Sequence, residues 1–173
     1  MRTKLILLSL LLLMAGLSIA ADTEIGIYTD RLLDPELTAC PYCGRPIRSG
    51  PIHQDAESTL LDELRQGLAD NGFKYIVGKS EAKNIGIFVY RYQERQGGNF
   101  AVDKPASVGF HLHLYDQRGL TKVFIFDETQ QPLLDNILKI FTFLRRGMKW
   151  ITASELAEEG IEKGIKSLQE DLK

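Results

Sequence analysis

Ala106-Ser-Val-Gly-Phe-His-Leu-His-Leu-Tyr115, then Asp116-Gln-Arg-Gly119, then Leu120-Thr-Lys-Val-Phe-Ile-Phe-Asp127 reads as two β-strands and the turn joining them. Val108, Phe110, Leu112 and Leu114 alternate with Ser107, Gly109, His111, His113 and Tyr115, and successive strand residues point to opposite sides of a sheet. The first set forms a core face. The second is polar enough to be wet or to line a site. Turn chemistry between two such runs predicts an antiparallel hairpin.

Working upstream, Ile85-Gly-Ile-Phe-Val-Tyr-Arg-Tyr92 is strongly β-prone, with Gln93 to Gly98 as its polar exit. Phe73 to Val77 reads as a shorter strand, and Gly78 to Lys83 as a turn or one helical turn. In Ser58 to Asn71, Leu60, Leu61, Leu64 and Leu68 share one side of a helix, and Gly72 follows as a C-terminal cap. Glu24 to Thr29 alternates as a first strand. Between it and the helix, Pro35, Pro41, Gly44, Pro46, Gly50 and Pro51 punctuate residues 30–55 too densely for regular structure, giving a structured loop that holds both cysteines.

Downstream, Asp127 to Gln131 reads equally as an acidic and amide cluster for a polar partner or as a turn and N-cap signal, and Leu133 to Leu144 as an apolar helix ending in Arg145-Arg146-Gly147. A last helix starts at Thr152 or Ser154, with Glu155 placed to close a capping box on Thr152. Leu156, Ile161, Ile165, Leu168 and Leu172 supply its buried stripe. The expected fold is α+β, a mainly antiparallel sheet with helices packed on one face.

Arg2 and Lys4, the apolar run Leu5 to Leu17 and the small residues closing it at Ser18-Ile19-Ala20 predict a signal peptide over residues 1–20. The apolar run is shorter than the ~20 residues of a membrane-spanning helix. Residues 21–173 are then one domain, expected in the periplasm or elsewhere in the cell envelope, outer-membrane association included. The leader takes two of the 21 basic residues and none of the 23 acidic ones, leaving 19 against 23 and a formal charge of −4. That balance speaks against a nucleic-acid partner.

Cys40-Pro-Tyr-Cys43 is the letter string of glutaredoxin active sites, but Gly44-Arg-Pro46 and Gly50-Pro51 prevent the helix that would lower a thiol pKa there. The same residues with Gly44 look like one knuckle of a zinc ribbon. A tetrahedral ion needs four ligands, and His53, His111 and His113 are the three nitrogen candidates, His53 being the nearest in sequence. The readings of this pair are a local disulfide, a zinc site on Cys40, Cys43 and His53, or redox chemistry. Haem attachment is excluded by Gly44 standing where a histidine is required. No Walker loop, H-E-x-x-H or Ser-His-Asp order stands out. The absence of a motif is weak evidence against an enzyme. Phe141, Arg145, Arg146 and Trp150 combine aromatic and basic character in the composition of a partner- or membrane-surface segment.

Arg91-Tyr-Gln-Glu-Arg-Gln-Gly-Gly98, Pro105 to Leu114, Phe126 to Asn136 and Arg146-Gly-Met-Lys-Trp-Ile-Thr-Ala-Ser-Glu-Leu156 resemble a deltaproteobacterial family of uncharacterised envelope proteins and lipoproteins. The order of elements is more distantly similar to the amino-terminal domain of TolB, to LpoB and to CsgG. These resemblances imply a non-catalytic binding or assembly factor of the envelope whose partner is another envelope protein or complex, with no cofactor beyond the zinc considered for the cysteine pair. A lipoprotein carries its acylated cysteine directly after the leader. Here the first cysteine is Cys40, 20 residues beyond Ala20 and past the polar stretch Asp30 to Glu36, so the expectation is an unlipidated protein tied to the envelope by its partners.

Overall fold

The computed structural model describes residues 24–97, 102–130 and 151–173. The leader over residues 1–20 and the Leu133 to Trp150 segment, with Phe141, Arg145, Arg146 and Trp150, lie outside the described residues.

Among the described residues, seven strands and two helices follow one another as β1 (Ile25–Arg31), α1 (Ala56–Asp70), β2 (Tyr75–Val77), β3 (Lys83–Gln93), β4 (Gln96–Gly97), β5 (Val102–Lys104), β6 (Ser107–Asp116), β7 (Gly119–Thr129) and α2 (Ala153–Leu172). Five strands form one sheet in the order β2-β1-β3-β6-β7, and β4 and β5 make a separate small ribbon, where the sequence reading had only a polar exit. The hairpin β6–β7 is as expected, and β3 pairs with β6 antiparallel.

The sheet as a whole is mixed, which corrects the mainly antiparallel expectation: β1 runs parallel to both β2 and β3. The reason lies in the connections. A strand that returns through a helix comes back in the same direction, whereas a tight turn reverses it, and α1 lies between β1 and β2.

The short link from β2 to β3 passes across β1 at Gly26. A Cβ at Gly26 would lie 2.5 Å from the Ser80 backbone nitrogen and 2.8 Å from the Gly78 carbonyl oxygen. The link is held there by Asn84, whose side chain accepts from Ser80 N at 2.7 Å and donates to Ser80 O at 2.8 Å. Gly78 N donates to the Ile27 carbonyl at 2.8 Å.

Both helices cover one side of the sheet. Leu60, Leu64 and Leu68 of α1 and Leu156, Ile161, Ile165 and Leu168 of α2 join Ile25, Ile27, Ile85, Ile87, Val89, Phe110 and Leu112 in a single core. Thr152 and Glu155 close the expected capping box at the start of α2, satisfying amide groups the helix itself leaves free.

Because backbone atoms sit where a Gly26 side chain would go, Gly26→Ala is expected to cost roughly 3 kcal/mol, the upper part of the range for overpacking a tight site. A denaturant titration showing wild-type stability for this variant would refute that reading of the crossover.

Candidate metal centre

The second face of β6, expected to be wet or to line a site, is closed. His111 is 0% and His113 1% exposed, and a second, smaller core of Leu32, Cys40, Ile47, Phe88 and Tyr90 covers this side.

The cover is built by an excursion of the chain. β1 pairs with β3 as far as Arg31 opposite Val89. Leu32 N then donates to the Val89 carbonyl at 2.8 Å, and the chain leaves the sheet. It returns to the same strand at Gly50 to His53, where Gly50 N donates to Tyr90 O, Tyr92 N to Pro51 O and His53 N to Tyr92 O at 2.8 to 3.1 Å. A bulge between Val89 and Arg91 changes the phase of β3. It puts Tyr90 among the residues that face the excursion and Tyr92 in the helix-side core. Gly109 leaves room for that Tyr90 ring, which any Cβ would meet.

Within the excursion, residues 38–47 fold into a tight hairpin. Cys40 N donates to Arg45 O, Gly44 N to Cys40 O and Ile47 N to Thr38 O, all at 2.8 to 2.9 Å. Gly44 takes a φ of +68°, a left-handed conformation that favours glycine. The knuckle geometry read from Cys40-Pro-Tyr-Cys43-Gly44 is therefore formed, and its two sulfurs point at β6.

Cys40 Sγ lies 3.5 Å from His113 Nε2, and Cys43 Sγ lies 3.6 Å from His111 Nδ1. One ligand atom from each of the four residues falls within 4.8 Å of the other three. An ion bonded to sulfur at ~2.3 Å and to nitrogen at ~2.0–2.1 Å in a tetrahedron separates its sulfur and nitrogen ligands by ~3.5–3.6 Å. Both sulfur–nitrogen distances match that edge. The donor set, two thiols and two imidazoles, suits zinc.

Two expectations change. His53 is not in the group: its side chain is 48% exposed and faces Asp55 at 3.6 Å, and the nitrogen ligands come from β6 instead. The expected Cys40–Cys43 disulfide is not formed, and both cysteines are free thiols, each facing an imidazole.

The electrostatics leave the site short of charge. Burial pushes both imidazoles down to about 4, with each other's proximity adding to the effect at His111. They are neutral at pH 7, the form in which histidine binds a metal. Burial pushes the Cys40 thiol up, and amide donors at Tyr42 and Cys43 directed at its sulfur oppose that rise. Those donors favour a thiolate. An incoming cation supplies the charge that a pair of buried thiolates needs and displaces their protons.

Tyr42, between the two cysteines, forms an outer support that the sequence did not advertise. Its hydroxyl donates to Asp30 on β1, which pushes its own pKa up to about 12. Its ring stands edge-on to Phe88 at 5.4 Å and 5.6 Å from His113. Below His111, Tyr90 packs its ring at 5.1 Å and donates to the Phe126 carbonyl at 3.2 Å. The Nε2 atom of His111 is buried with no hydrogen-bond partner among the described residues.

No family model matches the chain, and no curated protein matches it. Solved structures do share its fold. The PelC dodecamer from Paraburkholderia phytofirmans aligns with a TM-score of 0.53 at 12% identity, over 86% of this chain and 87% of that chain. A point variant of the same PelC dodecamer aligns with a TM-score of 0.51 at 12% identity, over 86% and 90%. Protein XCC0632 from Xanthomonas campestris reaches a TM-score of 0.49 at 12% identity, over 86% and 87%. At 12% identity the likeness to PelC is one of fold alone, and the TolB, LpoB and CsgG resemblance is not among these matches.

The two buried histidines set a pH dependence for the metal-free protein. Their folded pKa of about 4 lies below the unfolded value of ~6.5, so the unfolded chain takes up protons first as pH falls. Stability is therefore expected to drop between about pH 6.5 and pH 4, by several kcal/mol for the pair. Urea midpoints measured across that range test it. A His111→Phe, His113→Phe double variant that keeps the same slope would show that other groups are responsible.

Proposed function

We propose that this protein is a metal-binding component of the cell envelope in which one zinc ion, held by Cys40, Cys43, His111 and His113, fastens the loop over residues 32–49 onto the sheet. The observation that carries the proposal is the convergence of four ligand atoms from segments about 70 residues apart, with sulfur–nitrogen spacings of 3.5 and 3.6 Å. Four protein ligands complete a tetrahedron and leave no open position for substrate, the arrangement of structural sites rather than catalytic zinc. The role is therefore non-catalytic, and the ion's contribution is to hold the knuckle against β6.

Purified under reducing conditions, the chain is expected to bind one Zn²⁺ or Co²⁺, and the cobalt form to show the visible bands of a tetrahedral, thiolate-containing site. His113→Ala should abolish this and His53→Ala should leave it unchanged. Tyr42→Phe, which removes the support from Asp30, should weaken binding about tenfold, the lower end of effects for groups that orient metal ligands. A chain with free thiols that takes up no metal, or one in which His53→Ala removes it, would refute the site.

A second reading concerns assembly. The solved PelC structures with this fold are dodecamers, and we extend self-association to this chain as a binding or assembly factor exported by the segment Arg2 to Ala20. Light scattering of the metal-loaded protein is expected to give a mass of several chains, and a monomer at micromolar concentration would remove this reading.

A further inference from the structure

Beyond holding an ion, the site has a second chemical property. Its two thiols lie on a four-residue stretch with their sulfurs within 4.8 Å of each other, and they differ in access: Cys40 is 2% exposed, while Cys43 is partly open to solvent. We propose that Cys40 and Cys43 form a thiol–disulfide exchange site for small disulfides of the glutathione type, and that closing the pair into a disulfide expels the metal. The expulsion half of this proposal rests on the zinc reading, and the exchange half does not.

The step divides between the two cysteines according to their exposure. The Cys43 thiolate attacks one sulfur of the small disulfide, whose S–S bond breaks and whose other half leaves with the electron pair and takes a proton from solvent. The buried Cys40 thiolate then attacks Cys43 Sγ in the mixed disulfide, a new S–S bond closes, and the second half leaves in the same way. Two thiolates, one small disulfide and two protons become one protein disulfide and two small thiols. The cysteine pair loses two electrons, the reagent gains two, and zinc departs as Zn²⁺ with its charge unchanged.

Expulsion follows from ligand chemistry. Disulfide sulfurs carry no negative charge, and two neutral imidazoles make half a tetrahedral set. The bonds at residues 38–47 and 50–53 do not involve the sulfurs, so the hairpin and the sheet stay formed while its tip comes free of β6. Added thiol reverses both steps.

The zinc-loaded full chain is incubated with oxidised glutathione, while released zinc is followed with a chromogenic chelator and free thiols are counted. One zinc released for every two thiols lost, with an intramolecular disulfide and a reversal by dithiothreitol, is the expected result. In Cys40→Ser the reaction should stop as a glutathione adduct on Cys43. In Cys43→Ser, where the remaining thiol is buried, modification should slow at least tenfold, with circular dichroism confirming that both variants are folded. Thiols that persist in the folded wild type, disulfides formed between chains, or zinc retained after the thiols are lost would each overturn the proposal. If the reduced chain binds no zinc, the metal reading falls. The thiol count then judges exchange alone: an intramolecular disulfide supports it, and two surviving thiols refute it.

Discussion

Strand β6 is buried on both faces, and most of the architecture answers that constraint. Its apolar residues Val108, Phe110, Leu112 and Leu114 belong to the helix-side core, where α2 lies over Phe110 and Leu112. The other face carries two imidazoles, which cannot be enclosed by aliphatic groups without leaving nitrogen atoms unsatisfied, at a cost of about 1–3 kcal/mol each. The cover therefore has to be chemically matched. The knuckle meets each imidazole with a sulfur at 3.5 to 3.6 Å, and aromatic rings of Tyr42 and Tyr90 fill the space around them.

Delivering that cover depends on how β3 is shared. β1 occupies its edge up to Val89, and residues 50–53 occupy it beyond Tyr90. The intervening residues leave and re-enter the sheet at neighbouring points, so the loop is short-circuited at its base and confined to the region above β6. Further ties hold its return. The Arg31 guanidinium donates to the Ile52 carbonyl at 3.2 Å and pairs with Glu57 of α1 at 3.3 Å. Arg91 pairs with Asp127 across the sheet and donates to the Arg48 carbonyl. The base of the loop is thus tied to β3 before any ion is considered, and the knuckle at its tip meets β6 through the sulfur–imidazole contacts.

Fold and site carry separate information. The PelC structures share the arrangement of the sheet and helices, and nothing in that likeness assigns the four ligands. The metal reading stands on the residues of this chain: a cysteine pair on the excursion and a histidine pair on the strand beneath it. That separation is usual, since a fold supports many functions and the chemistry is built from particular side chains upon it.

The individual elements are legible along the chain, because their signals are local. Period-two alternation marks β6 and β7, leucines at helical spacing mark α1, and Thr152 with Glu155 marks the start of α2. Cys40 to Gly44 likewise contains its own hairpin geometry, which is why a knuckle was legible. The mixed sheet is partly legible too, since a helix between β1 and β2 already implies a parallel pair. Only the tertiary structure decided which histidines serve the knuckle. His53 lies ten residues from Cys43 and was the natural choice along the chain, but residues 50–53 are pinned to β3 with the His53 side chain outside. The alternation at His111 and His113 showed that both rings share one face of a strand. What lies above that face depends on pairing between residues about 70 positions apart, and no local pattern of residues encodes a contact made through the return of a loop to a sheet.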